Sequence, residues 1–192
     1  MYNLIGNSCV SAFITNELLK QKYINPFCWC TIDADSMYNL IKYYDNINFK
    51  NFELIKDKNW MFYIIIDKKI KIRWPHYKFS KTDKILKKLK HDVYWNKIWE
   101  YIVEIYIKRT NRMLNEKINP IFIIGSTIKS HLYNENKLKQ ICALNSKYKL
   151  IICNNNMDFS NEFPNIIFHK TDIKNDNFAL AKEIFNNYNY LF

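Results

Sequence analysis

Glycine is almost missing from this chain: two occur in 192 residues, Gly6 and Gly125. A P-loop or a Gly-x-Gly-x-x-Gly nucleotide site is therefore excluded, since both need several residues without a Cβ beside the phosphates. Arginine is nearly as scarce, three among 29 basic residues. Sequence-specific readers of nucleic acid favour its bidentate fork, so a net charge of +11 built from lysine gives little support to such a partner. Asparagine and isoleucine reach 26 and 29 residues, and with lysine they share A/T-rich codons, so base composition alone yields this profile. No stretch approaches the roughly 20 consecutive apolar residues of a membrane span, and the N-terminus lacks the basic region and apolar run of a signal peptide. The five cysteines, Cys9, Cys28, Cys30, Cys142 and Cys153, are odd in number and irregularly spaced, which argues against a secreted disulfide framework. Cys28-Trp29-Cys30 has no second Cys/His pair at zinc-like spacing. A cytoplasmic protein with no membrane span, metal or cofactor is the expectation.

What is abundant is apolar: 48% hydrophobic and 17% aromatic residues, enough for one well-buried core and a single domain over residues 1–192. Tyr2 to Ile5 read as a strand, and Ser11 to Lys22 as a helix that Asn25-Pro26 ends. Phe27 to Ile32 is a compact aromatic segment, and Asp35-Ser36 caps a helix to about Tyr44. Phe49 to Lys58 is ambiguous. Trp60–Ile66 and Lys69–Trp74, joined by Asp67-Lys68, read as a β-hairpin. Thr82 to about Lys117, one long helix or two with a bend near His91-Asp92, carries Ile85, Leu89, Ile98, Ile102 and Ile105 close to one face, with Trp95, Trp99 and Tyr106 as core aromatics. Beyond it come strands at Pro120–Gly125, Tyr148–Cys153 and Asn165–His169, and helices at Lys137–Leu144 and Phe178–Tyr188. Apolar strands alternating with helices predict an α/β fold, a three-layer domain with a mainly parallel sheet and the hairpin as an insertion.

In open parallel sheets, ligands bind outside the carboxyl ends of the strands. Those ends hold Gly6 to Cys9, Gly125 to Thr127, Asn154 to Asn156, and His169 to Asp172. Gly6-Asn7-Ser8-Cys9 is the most informative stretch. It follows a strand and leads into a helix, where free N–H groups and the helix dipole favour a thiolate at Cys9. Two nucleophiles stand there, Ser8 and Cys9; a buried, inert cysteine is the plain alternative. Gly125-Ser126 at the next strand end can present N–H groups to a phosphate, and Lys68 to Lys90 is basic enough to draw an anionic substrate.

Gly6-Asn7-Ser8-Cys9-Val10-Ser11-Ala12-Phe13, followed by Pro26-Phe27-Cys28-Trp29 and then by Trp74-Pro75-His76, resembles a bacterial family described as papain-like cysteine peptidases. The resemblance covers roughly residues 3 to 126. Members have Gly-x-x-Cys, then Pro-Phe-Asp-Trp, then a histidine; this chain has Cys28 where they carry the acid. The resemblance implies Cys9 as nucleophile and His76 as its base, with N–H groups near Cys9 and Val10 as an oxyanion hole. Asp33, Asp35 and Asn154 are open candidates for orienting the histidine. The α/β reading is not that of a papain fold. A second likeness is to the Ser-Gly-Asn-His esterases, whose first block Gly6-Asn7-Ser8 is similar to, with Ser8 as nucleophile. Their Gly-x-Asn-Asp block is absent, and His169-Lys170-Thr171-Asp172 reverses their Asp-x-x-His.

The expected function is thus a cysteine-dependent hydrolase or acyl transferase: Cys9 and His76 catalytic, Ser8 the other nucleophile, and Gly6, Asn7, Trp29, Gly125, Ser126, Asn154 and His169 around the substrate. An alternative is a glycan-modifying protein that binds a phosphorylated or nucleotide-activated polysaccharide precursor without a covalent step. A third is a non-enzymatic nucleic-acid binder.

Overall fold

The computed structural model describes residues 3–21, 25–56, 62–74, 91–125, 133–144, 147–154, 159–173 and 176–192, and only the backbone of 91–95. Four parallel strands form one sheet in the order β1 (Asn3–Gly6), β6 (Pro120–Ile124), β7 (Lys149–Cys153), β8 (Ile167–His169). Asn3 faces Pro120, Ile121 faces Lys149 and Cys153 faces His169. The α/β architecture follows from strands such as Pro120-Ile121-Phe122-Ile123-Ile124, buried at every position and so apolar on both faces.

Alternation along each strand assigns the two faces. Leu4, Ile121, Ile123, Ile151 and Cys153 pack with Val10 and Ile14, and with Leu180, Ala181 and Ile184. Val10 belongs to α1 (Val10–Phe13), a single α-helical turn that continues as a π-helical stretch over Ile14–Leu18. The other three lie on α5 (Asn177–Tyr188), which starts with the Asp176 carboxylate accepting from the Phe178 and Ala179 N–H groups. Ile5, Phe122, Ile124, Leu150 and Ile152 join a larger core. It holds α2 (Ala34–Tyr43), α3 (His91–Glu116), α4 (Glu135–Leu144) and a second sheet.

The expected hairpin is present and is part of a second sheet. That sheet has four antiparallel strands in the order β2 (Thr31–Ile32), β5 (Ile70–Trp74), β4 (Phe62–Ile66), β3 (Phe52–Lys56). The hairpin is its centre, and the ambiguous 49–58 stretch and the end of the aromatic segment are its edges. Asp67 and Lys68 turn the hairpin at φ 49° and 55°, the left-handed pair of a type I′ turn.

Two further boundaries differ from expectation. The helix after Cys9 is a short α-turn running into a π-helix, not a regular helix to Lys22. Asp33, not Asp35-Ser36, caps α2, its carboxylate accepting from the Ser36 N–H at 2.7 Å. The long helix begins at His91 among the described residues; Thr82 to Lys90, with Ile85 and Leu89, lies outside them, as do Trp60 and the Trp95 side chain. In α3, Ile98, Ile102 and Tyr106 are fully buried, whereas Trp99 is 37% exposed and is no core residue.

Candidate functional site

After β1 the chain passes to the face covered by α1, whereas after its neighbour β6 it passes to the opposite face, where Leu138, Ile141 and Cys142 of α4 are buried. Adjacent parallel strands whose continuations part in this way open a crevice at their carboxyl ends, the place where α/β sheets bind ligands. Gly6 to Cys9 and Gly125 stand at that crevice.

Asn7 closes its floor. The Asn7 amide oxygen accepts from the Gly125 N–H at 2.9 Å, and its NH2 donates to the Gly125 carbonyl at 3.4 Å. Its own N–H donates to the Ile123 carbonyl, and its carbonyl accepts from the Ile32 N–H, each at 3.2 Å. One buried side chain and its peptide groups therefore join β1, β6 and β2, so the two sheets meet here. Tyr133 reinforces the junction, donating to the Ile32 carbonyl at 2.8 Å beside the Asn7 amide; burial raises its pKa. Because Asn7 occupies the Gly125 N–H, that group is not on offer to a phosphate.

Neither glycine has a positive φ, so close approach is what requires Gly6. A Cβ there would lie 2.8 Å from Ser11 Oγ and 3.2 Å from the Ser8 carbonyl. The Gly125 Cα faces Ser8 Oγ, 3.5 Å from where a Cβ would stand. Ser8 is buried, and its Oγ accepts a long bond of 3.5 Å from the Val10 N–H. In this arrangement Ser8 serves the turn.

Cys9 is the residue that opens α1, with no side-chain cap bond. It is 7% exposed, and burial carries its thiol from the ordinary 9.0 up to about 11. The expectation of a thiolate is thereby corrected. Such a shift corresponds to about 3 kcal/mol in favour of the neutral form, against the roughly 0.3–1 kcal/mol that a helix terminus supplies. Burial also raises the other four thiols: Cys28 to about 11, Cys142 to about 12, and Cys30 and Cys153 further. Cys9 remains the most exposed of the five.

Beside Cys9 runs the turn Phe27 to Cys30, closed by the Cys30 N–H on the Phe27 carbonyl at 3.1 Å. Trp29 occupies its third position at φ 65°, where glycine is usual and a bulky side chain costs about 1–3 kcal/mol. Three contacts hold the turn. Asn25 accepts from the Phe27 N–H at 3.0 Å and donates to the Leu4 carbonyl of β1 at 2.9 Å. Arg109 donates to the Cys28 carbonyl at 2.9 Å, with its guanidinium over the Trp74 ring. The Trp29 ring meets Phe13 edge-on at 4.9 Å, and Phe13 meets Phe178 at 5.2 Å. An aromatic ladder thus starts one helical turn from Cys9, since the Phe13 N–H donates to the Cys9 carbonyl.

Of the other expected site residues, His76 and Ser126 lie outside the described residues, as do Thr127, Asn155 and Asn156. Asn154 directly follows β7, its N–H donating to the His169 carbonyl at 3.0 Å. His169 lies on β8, three strands from β1, a displacement of about 14 Å at ordinary strand spacing. Its buried ring bonds with the Tyr188 hydroxyl at 3.2 Å, and Nε2 is 3.5 Å from a Glu183 oxygen. It is thus separate from Cys9. Asp33 is engaged at the α2 cap, and Asp35 pairs with Lys137 at 2.7 Å. Arg109, Tyr133 and Phe178 carry no signal in the sequence, being distant along the chain from the residues they meet, Cys28, Ile32 and Phe13; Asn25, two residues before the turn, shows there only as the end of a helix. Phe13 alone carried a signal, its i+4 spacing from Cys9.

No protein-family model matches the chain, and no match is found among the curated proteins. Among the described residues there is no group of three or more His, Cys, Asp or Glu side chains able to hold a metal, and no helix long and apolar enough to cross a membrane.

Proposed function

We propose that the chain is a cysteine-dependent hydrolase or acyl transferase in which Cys9 is the nucleophile. One observation carries the reading: Cys9 leads from the edge strand into α1 at the crevice where the continuations of β1 and β6 part. A thiol kept neutral by burial attacks only as its proton is removed. The sulfur forms a bond to the substrate carbonyl carbon while a base takes the proton. The proton then passes to the leaving group, and an acyl-thioester remains for water or an acceptor to attack. His76 is the base in this reading, on the resemblance of Trp74-Pro75-His76 to the family's histidine element.

Native-state alkylation tests it. Brief exposure to iodoacetamide followed by peptide mapping is expected to modify Cys9 before Cys28, Cys30, Cys142 and Cys153. Equal or later labelling of Cys9 contradicts the reading.

The burial that raises the Cys9 pKa weighs against covalent chemistry, and in a second reading the crevice holds an anionic glycan precursor without a covalent step. Its mark is binding of a nucleotide-activated sugar that weakens with salt and is unchanged in Cys9→Ala.

A further inference from the structure

Helix α3 carries two apolar stripes. Ile98, Ile102, Tyr106 and Met113 are buried in the core, and they account for the first. Beside it, Trp99, Ile107 and Leu114 leave 37%, 43% and 38% of their surfaces to solvent. At 3.6 residues per turn these three, with the half-buried Val103, fall within about 80° of one another round the helix.

The second stripe is self-complementary. Ile107 stands eight residues after Trp99 and seven before Leu114, close to the midpoint. A two-fold axis through Ile107, with two copies of α3 antiparallel, sets Ile107 against Ile107 and each Trp99 against Leu114 of the other copy. The charges agree with that register. Lys97 and Glu100 pair within the helix at 3.7 Å. Glu104 and Lys108, exposed on the side of Ile107 away from Trp99, have no ion-pair partner among the described residues. The same axis brings each Glu104 beside Lys108 of the other copy, offset by about 3 Å along the helix at 1.5 Å per residue. A parallel, in-register pair would set like charges against each other. An acidic partner would oppose Glu104 and a basic one Lys108, so a second copy of this chain fits the face best.

We propose that this stripe of α3 is a homodimer interface, in which two copies pack α3 antiparallel about Ile107 with Glu104–Lys108 pairs across the two-fold. A contact through one helix lies at the low end of specific interfaces, below about 1,200 Å² in total, so the association depends on concentration.

Sedimentation equilibrium of the full chain, from micromolar to submillimolar protein, tests the proposal. A reversible monomer–dimer equilibrium is expected, weakened at least tenfold in Ile107→Lys. Glu104→Lys and Lys108→Glu each set like charges across the two-fold and are expected to weaken self-association at least fivefold. An equimolar mixture of those two variants is expected to associate at least fivefold more tightly than either alone, because each supplies the charge opposite to the other's altered position. A chain that stays monomeric at submillimolar concentration overturns the proposal. So does a dimer as tight in Ile107→Lys as in the wild type, and so does a mixture that associates no better than its separate components.

Discussion

At the scale of single residues, the crowding around Gly6 is the most exacting feature of the opening turn. Gly6→Ala pushes a methyl against Ser11 Oγ and the Ser8 carbonyl, and is expected to lower unfolding free energy by about 1–3 kcal/mol in urea titration. Among the described residues Ser11 Oγ is buried without a hydrogen-bond partner, so Ser11→Ala alone is near neutral, and the double variant recovers part of the loss. Full additivity of the two changes would show that the clash is elsewhere. Cys9 gives a second residue-level prediction. With its thiol at about 11, the rate of native alkylation rises with pH throughout the neutral range, and a plateau reached near pH 7 would mean a standing thiolate. A thiol raised on folding also stabilises the native state fully below its ordinary 9.0 and loses that contribution as pH rises through about 11. Wild-type stability should therefore fall across this window more steeply than that of Cys9→Ala. The sequence made Cys9 visible through its turn, but not its protonation: a strand–turn–helix pattern shows that helix N–H groups are near, and the surrounding burial, which dominates, comes from distant segments.

At the scale of elements, the two β-turn regions show opposite uses of left-handed backbone. Lys68, at φ 55° in the hairpin, is exposed and remote from the crevice, so Lys68→Gly is expected to raise stability by about 1 kcal/mol. Asp33→Ala removes the carboxylate that holds the start of α2 and should cost about 1 kcal/mol; thermal unfolding checks both. The elements with continuous apolar runs, β6 and β7, were legible almost to the residue. The second sheet was not. β3 reads Phe52-Glu53-Leu54-Ile55-Lys56, with Leu54 its single buried position, and β2 has two residues, too few for any periodicity to show. The π-helical stretch after α1 was equally hidden, because Ala12, Phe13, Leu18 and Leu19 suit an α-helix as well.

At the scale of the whole molecule, the central point is topological. β1 is an edge strand of the parallel sheet, yet Asn7 ties its end to β6 and to the second sheet, which makes the crevice rigid at its floor. Asn7→Ala strands the Gly125 N–H without its partner and is expected to cost about 1–3 kcal/mol, read as a lower urea midpoint. The general location of the site was legible, since polar residues at parallel strand ends converge by construction. Which of those ends matters was not, because the strand order and the faces taken by α1 and α4 decide it. The order sets His169 three strands from Cys9, though both stand at strand ends in the sequence. The claim on which the account turns is that Cys9 forms a covalent acyl intermediate, and trapping it with p-nitrophenyl acetate tests this most directly. The account predicts an acetyl group on the Cys9 peptide of the native protein, with nitrophenolate released at a rate that falls at least tenfold in Cys9→Ala and His76→Ala. Release at the wild-type rate from Cys9→Ala, or an acetyl group found only on lysines, would contradict it.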